Sequence, residues 1–137
     1  EAIRHEGGAT DRLYCAMMDA RRMEVYAAIY DANLSVLRPA AADVVDGQTY
    51  ADFLAKGPVC FFGNGAGKCA SVIDSPNASF IEGIEPLASA MAPLAEKAYA
   101  ASQFEDVAYF EPFYLKEFQA TIAKNKVLSE ALGEQHR

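Results

Sequence analysis

The strongest constraint on the fold is a polar turn between two apolar runs near the start of the chain. The runs cover residues 13–18 and Glu24–Tyr30, and residues 19–22, Asp-Ala-Arg-Arg, separate them. Alternate residues of a strand point to opposite faces, and in the second run both sets are apolar: Val25, Ala27 and Ile29 on one side, Tyr26, Ala28 and Tyr30 on the other. The chain is therefore expected to build a β-sheet that is covered, or nearly covered, on both faces.

The segments that follow predict helices packed on a mixed sheet. Residues 34–38 are a third strand of an antiparallel meander, and Val59–Phe62 and Ala78–Ile81 are short further strands. A short helix capped by Thr49 and a helix from about Lys68 alternate with these strands. The predicted order βββαβαβα gives an α/β fold of one domain, with an α+β mixed sheet.

The clearest helical pattern lies between residues 84 and 99. Apolar residues recur there with i, i+3, i+4, i+7 spacing: Ile84, Leu87, Ala88, Met91, Leu94, Ala95, Ala98 and Tyr99. Pro86 suits the first turn of such a helix, and Pro93 is expected to kink or break it because proline lacks the backbone N–H. We interpret the apolar stripe as core packing.

The charge balance limits the classes of partner. The 137 residues carry 19 acidic and 12 basic side chains, a net charge of −7. A surface that grips nucleic-acid phosphates by itself is usually basic, so direct nucleic-acid binding is not expected. No apolar run approaches the roughly 20 residues of a membrane helix, so no membrane association is expected either.

Cysteine and histidine, which carry much of protein chemistry, are scarce. The chain has an odd number of cysteines and no CxxC pair; they are Cys15, Cys60 and Cys69. We therefore predict buried thiols in a protein inside the cell rather than disulfides or a zinc site. His5 and His136 lie near opposite ends of the chain. This placement leaves no HExxH motif and argues against Ser-His-Asp and Cys-His catalysis.

The glycine-rich segment 63–67 invites a test against phosphate-binding motifs. A Walker A motif would need glycine where Phe62 stands and serine or threonine where Cys69 stands, and GxGxxG fails at Lys68. What remains is a strand, a glycine turn and the start of a helix. This arrangement is either an anion site built from backbone N–H groups or a tight strand-to-helix connection.

Three acidic residues flank the first hairpin. Asp19, Glu24 and Asp31 surround Arg21 and Arg22. Paired carboxylates can serve acid–base chemistry or bind magnesium. The alternative is a solvated, salt-bridged hairpin end, which contributes little to stability.

Three segments together resemble the TsaB (YeaZ-like) family of tRNA threonylcarbamoyladenosine biosynthesis proteins, often labelled glycoprotease-like. Residues 19–26, DARRMEVY, followed by Tyr30-Asp31, resemble the family's DAR-x-x-EVY hairpin. Gly57-Pro58 and the later Gly-Asn-Gly-Ala of residues 63–66 resemble its GP…GDGA segment, and residues 112–116, Pro-Phe-Tyr-Leu-Lys, resemble its P-x-YLR segment. The resemblance spans residues 13–116.

The resemblance implies an actin-like ATPase (ASKHA, RNase H-like) fold, of which this chain corresponds to the C-terminal half. The residues themselves, EAIRHEGGATDR, indicate that the segment 1–12 is the end of a helix followed by a glycine-rich loop. Residues 13–116 form the actin-like domain, and residues 117–137 form a C-terminal tail.

Two sets of residues are implied as sites by the resemblance. The family motif consists of Asp19, Arg21, Glu24 and Tyr26. A candidate vestigial nucleotide loop consists of Gly63, Asn64, Gly65 and Ala66. Asn64 stands where the family commonly has Asp, and Lys116 stands where Arg is usual. No catalytic residue, metal or cofactor is implied.

The function implied by the resemblance is that of a non-catalytic, cytoplasmic scaffold or stabilising subunit. Such a subunit pairs with a TsaD-like catalytic subunit and acts with a TsaE-like ATPase to make threonylcarbamoyladenosine in tRNA. One alternative is the ATP-binding domain of a sugar-kinase-like enzyme, and another is a glycoprotease-type peptidase. We also hypothesise a homodimer, because an isolated half of an actin-like protein exposes apolar surface; residues 109–114 are one candidate contact.

Overall fold

In the computed structural model of the chain, residues 2–116 are described. The predicted C-terminal tail, residues 117–137, lies outside the described residues, as does His136. The elements, in chain order, are α1 (Ala2–His5), β1 (Leu13–Asp19), β2 (Glu24–Tyr30), β3 (Val36–Val44), α2 (Ala51–Leu54), β4 (Val59–Phe62), α3 (Ala66–Cys69), β5 (Ala78–Ile81), a 3₁₀ turn (Ala88–Met91) and α4 (Ala92–Ala100).

The five strands form one mixed sheet in the order β3-β2-β1-β4-β5. The strands β1 and β2 pair antiparallel, from Tyr14 opposite Tyr30 to Asp19 opposite Val25, and β3 continues this antiparallel meander. The strand β4 runs parallel to β1, and β5 runs parallel to β4. The predicted mixed sheet is therefore confirmed, with the meander on one side and two parallel strands on the other.

The main core lies on the face of the sheet that carries Met17, Val25, Ile29 and Phe61. These side chains are fully buried, together with Tyr50 from the segment that leads into α2. The rings of Tyr50 and Phe61 lie 5.4 Å apart between centroids, and Phe61 stacks on Phe80 at 5.2 Å. Aromatic contacts at such distances add to the stabilisation that comes from area burial.

The opposite face of the sheet is covered in part. A second, smaller cluster beneath α1 buries Ala2, Tyr14, Cys60 and Ile81. Next to it, over β1, β2 and β3, the sheet is partly open and Met18 is exposed. The expectation of two covered faces thus holds only in part for β2, where Ala28 is buried on this face and Tyr26 and Tyr30 are half-buried.

The three cysteines are buried and free, as predicted. Burial raises the pKa of the Cys15 thiol, because the surrounding core disfavours the thiolate. Among residues 2–116, no helix is both long and apolar enough to cross a membrane.

The third strand begins and ends later than predicted. It covers Val36–Val44 rather than residues 34–38, because Asp31 holds the preceding turn closed through Ser35. The Asp31 carboxylate accepts hydrogen bonds from the N–H groups of Asn33 and Ser35, both at 2.8 Å. The strand then continues past Pro39, which an edge strand tolerates because its outer N–H groups need no partner in the sheet.

The two short helices also differ from their predicted starts. Thr49 does not cap α2; its hydroxyl accepts the Asp46 N–H at 2.9 Å and donates to the Asp46 carboxylate, which fixes the preceding turn instead. Tyr50 occupies the N-cap position. The helix α3 begins at Ala66, two residues before the predicted start at Lys68, because the glycine turn is shorter than expected.

The predicted helix over residues 84–99 is wrong in extent and in burial. The chain forms only the 3₁₀ turn and α4, with Pro93 in the first turn of α4. Ile84 packs half-buried against the smaller core cluster, but the larger apolar side chains after it stand in solvent, with exposed fractions from 54% at Leu87 to 73% at Tyr99. The interpretation of the stripe as core packing is therefore wrong for most of its length, because Met91, Leu94 and Tyr99 are exposed.

Candidate functional site

Three segments distant in sequence meet at the tip of the β1–β2 hairpin. They are the hairpin tip itself, residues 19–24, the glycine turn, residues 63–67, with the following Lys68, and residues 112–116. We call the meeting point the motif corner and define it by five residues: Asp19, Glu24, Asn64, Lys68 and Lys116.

Polar contacts hold the motif corner together. The Asp19 N–H donates to Asn64 Oδ1 at 3.0 Å. The Lys68 ammonium donates to the Asp19 carboxylate and, at 2.7 Å, to the carbonyl of Glu24. The Glu24 carboxylate in turn accepts a hydrogen bond from the Lys116 ammonium. Each polar residue of the corner therefore has a partner contributed by another segment.

Asp19 is held in its ionised form by these contacts. Its pKa is lowered, first by the hydrogen bond from Lys68 and next by the N–H of Arg21, which donates to Asp19 Oδ1 at 3.1 Å. A carboxylate that stays ionised and already accepts from an ammonium group is suited to positioning and poorly suited to carrying protons in catalysis.

The glycine turn packs closely on the backbone of β1. Gly63 has φ of +97°, and a Cβ built there would lie 2.3 Å from the carbonyl oxygen of Met17. A Cβ on Gly65 would lie 2.9 Å from the carbonyl carbon of Met18, and the Gly65 N–H donates to the Met17 carbonyl at 3.1 Å. This geometry favours the tight strand-to-helix connection over the anion site. It also explains why glycine stands at positions 63 and 65, because a side chain at either position would clash with the β1 backbone.

The hairpin tip carries two arginines in the left-handed region, Arg21 with φ of 71° and Arg22 with φ of 50°. The Glu24 N–H donates to the Arg21 carbonyl at 3.0 Å, and the Ala20 N–H donates to the Glu24 carbonyl at 3.1 Å. Both arginine side chains are exposed. Sequence reasoning placed Arg21 in the family motif but gave no sign of this conformation.

The fourth motif residue, Tyr26, lies on the partly open face of the sheet. It lines a cavity of about 450 Å³ between this face and the segment 113–116. On the sheet side, the cavity is lined by small alanines, two tyrosines and one methionine: Ala16, Met18, Tyr26, Ala27, Ala28, Tyr30 and Ala40. Sequence reasoning missed the cavity; the alternation of alanine with tyrosine along β2 was the available signal.

The structure does not bring the three predicted acidic residues together. Asp31 follows the far end of β2, seven residues from Glu24, which corresponds to roughly 20 Å along a strand. Its carboxylate is used by the turn that precedes β3. Within residues 2–116, no group of three or more His, Cys, Asp and Glu residues could hold a metal ion.

A buried charged cluster on β3 was also missed. Asp43 is 8% exposed, and it accepts hydrogen bonds from the Arg38 guanidinium and, at 2.8 Å, from the Tyr50 hydroxyl. Burial is the main cause that raises the pKa of Tyr50. The cluster ties the edge strand to the core, and an isolated aspartate in an apolar strand was the only trace of it in the sequence.

Comparison with known proteins shows a likeness to solved structures. No protein-family model matches the chain, and no curated protein matches it. One similar solved structure is a crystal structure of an uncharacterized protein with similarity to the peptidase YeaZ from Pseudomonas aeruginosa; the two chains are 23% identical with a TM-score of 0.65. The match covers 84% of this chain and 53% of that one, so the chain spans about half the length of its neighbour. The chain therefore has a YeaZ-like fold. The motif corner brings together the three segments whose sequences resemble the YeaZ-like family.

Proposed function

We propose that the chain is the C-terminal half of a TsaB-like protein, and that it serves as a non-catalytic scaffold for making threonylcarbamoyladenosine in tRNA. Its partners in this role are a TsaD-like catalytic subunit and a TsaE-like ATPase, in the cytoplasm. The half would belong to an actin-like fold of two such halves. The YeaZ-like fold supports the family, while the role and the partners are part of the proposal.

The observation that carries the proposal is the motif corner. The hairpin, the glycine turn and the segment ending at Lys116 are the parts of the sequence that resemble the family, and their polar residues bind one another. Asp19 and Glu24 each accept from a lysine of another segment. Motif residues used in this way maintain a surface, which is what a scaffold subunit requires.

The glycine turn supports a scaffold more than a nucleotide-binding enzyme. Gly63 and Gly65 approach the β1 backbone too closely for side chains, and the Asn64 side chain is occupied by the Asp19 N–H. A sugar-kinase-like domain would need this turn free to face phosphate groups. The carboxylates of Asp19 and Glu24 are paired with lysines, so they are poorly suited to act as the acid or base of a peptidase.

The test is complementation in the source organism. Cells depleted of the complete protein are expected to lose threonylcarbamoyladenosine from their tRNA, measured by mass spectrometry of nucleosides, and the wild-type gene is expected to restore it. Affinity purification of the tagged protein is expected to recover a TsaD-like subunit. An unchanged level of the modified nucleoside after depletion would refute the proposal.

A matched pair of variants links the test to the motif corner. Asp19→Ala removes one of the two acceptors of Lys68 and is expected to lower the restored level of the nucleoside. Asp74→Ala removes an exposed aspartate outside the corner and is expected to complement fully. If both variants restored the nucleoside equally at equal protein levels, the motif corner would not be needed for the function.

A further inference from the structure

The hairpin tip carries two arginines in a backbone conformation that arginine rarely adopts. The positive φ angles of Arg21 and Arg22 place both in the left-handed region. An L-residue with a Cβ is penalised there, whereas glycine adopts this region freely and asparagine is tolerated. A turn that served only to reverse the chain would gain nothing from arginine at these positions.

The acidic groups beside the tip are already occupied. Asp19 pairs with Lys68, and Glu24 pairs with Lys116. Within residues 2–116, neither Arg21 nor Arg22 forms a salt bridge, and both side chains are exposed. The tip therefore presents two exposed positive charges without a salt-bridge partner among residues 2–116, on a chain whose net charge is −7.

Guanidinium groups recognise a particular chemistry. The planar fork of arginine donates two parallel hydrogen bonds to a carboxylate or a phosphate. Nucleic-acid binding depends on several phosphate contacts and a broadly positive surface, which two charges on an acidic chain do not supply. A short run of carboxylates needs only a local match, so an acidic peptide suits this tip better than RNA.

We propose that Arg21 and Arg22 form a docking point for an acidic segment of a protein partner, and that each guanidinium pairs with one carboxylate. The lysines of the motif corner leave the arginines free for this contact by neutralising Asp19 and Glu24. This recognition does not require the scaffold role in tRNA modification, and either can fail without the other.

The probe is a peptide of six glutamates, titrated into the isotope-labelled full chain at about 50 mM salt, where screening of exposed charges is weaker than at physiological salt. Saturable shifts are expected in the backbone amide signals of residues 19–24. Arg21→Gln with Arg22→Gln is expected to weaken binding about tenfold or more. Arg21→Lys with Arg22→Lys keeps the charge but loses the fork, and is expected to weaken binding by a smaller factor.

The control is Arg4→Gln with Lys97→Gln, which removes two exposed positive charges elsewhere and leaves the same net charge. Wild-type affinity in this control supports docking at the tip. Equal weakening in both glutamine double variants, or the absence of shifts at residues 19–24, overturns the proposal. Tighter binding of a uridine hexanucleotide, dependent on the same two arginines, also overturns it in favour of RNA.

Discussion

Lys116 and Glu24 form an ion pair across 92 positions of the sequence. The pair joins the segment 112–116 to the first hairpin, and Lys116 also lines the cavity between this segment and the sheet. Because both side chains are partly exposed, the pair contributes to local order more than to global stability.

Replacement of Lys116 is expected to loosen this segment without unfolding the domain. Lys116→Gln should change the free energy of unfolding by no more than about 1 kcal/mol, as for other surface pairs. Chymotrypsin should nevertheless cut faster after the exposed aromatic residues 109–114. Lys116→Arg should restore the wild-type rate of cutting, and identical rates in all three proteins would contradict the role of the pair.

A side chain at Gly63 is expected to disrupt the glycine turn. Gly63→Ala places a Cβ 2.3 Å from the Met17 carbonyl oxygen at a positive φ, so something must shift. The free energy of unfolding in urea should fall by more than about 2 kcal/mol.

Gly67 is the control for this change, because a Cβ there would meet no atom within 4 Å. Gly67→Ala should be neutral or stabilising by up to about 1 kcal/mol. Equal losses in the two variants would show that the close approach at Gly63 is not what matters.

The buried cluster on β3 is expected to be costly to break. Asp43→Asn leaves the Arg38 guanidinium without its counter-ion in a largely buried setting. A loss of about 2–3 kcal/mol is expected, somewhat below the figure for fully buried pairs because Arg38 retains partial exposure. Asp52→Asn, at an exposed position of α2, should cost less than about 0.5 kcal/mol, and a similar small loss at Asp43 would be inconsistent with an anchoring cluster.

The ion pair of Asp19 with Lys68 is expected to make stability depend on acid. The pKa of Asp19 is lowered in the folded chain by the hydrogen bond from Lys68, so its contribution is complete above the ordinary aspartate pKa of about 4. That contribution is lost as the pH falls through the lower folded value. Asp19→Asn should therefore be less stable than wild type at pH 7, and the gap should begin to narrow below about pH 4 and close as the pH falls through the lower folded pKa.

Urea unfolding at a series of pH values measures this gap. Asp74→Asn, at an exposed position outside the motif corner, should show a small difference that does not vary with pH. A gap for Asp19→Asn that stayed constant down to pH 3 would mean that the carboxylate charge is not the stabilising feature.

Glycine at the hairpin tip is expected to relieve backbone strain. The left-handed conformation costs an L-residue roughly 1–2 kcal/mol, and glycine loses part of this gain through the entropy of the unfolded chain. Arg21→Gly with Arg22→Gly should thus be as stable as wild type, or up to about 1 kcal/mol more stable. Arg21→Ala with Arg22→Ala keeps both Cβ atoms and should show no gain; melting temperatures of the two double variants decide the matter.

Local pattern was enough to predict four of the five strands and the burial of the cysteines. The run Glu24–Tyr30 is a strand as predicted, and Val59–Phe62 and Ala78–Ile81 also match. These segments are short, apolar and bounded by turn residues, so neighbouring residues alone decide their conformation. The burial of Cys15, Cys60 and Cys69 follows from the same apolar surroundings.

Competing hydrogen bonds within turns, and the surroundings of one helix, escaped prediction. The start of β3 depends on which N–H groups the Asp31 carboxylate accepts, and Thr49 was drawn into the Asp46 turn instead of capping a helix. The periodicity of residues 84–99 indicated an amphipathic helix but not whether a surface covers its apolar side.

The candidate site was predicted in part. The resemblance singled out Asp19, Glu24 and the glycine turn, and all of them lie in or beside the motif corner. Their pairing with Lys68 and Lys116 could not be read from the sequence, because each contact joins segments more than 40 positions apart. The left-handed arginines depend on backbone angles, which composition does not reveal.

Pro39 limits how far the sheet can grow. It lies in the outermost strand between Arg38, paired with Ile29, and Ala41, paired with Ala27, where the register is irregular. An exposed edge strand with a continuous set of N–H and C=O groups would recruit strands from other chains and aggregate. Proline removes one N–H at the middle of this edge and the irregularity bends it. The irregular, proline-containing edge therefore makes fibre-like stacking of this sheet on other chains less favourable.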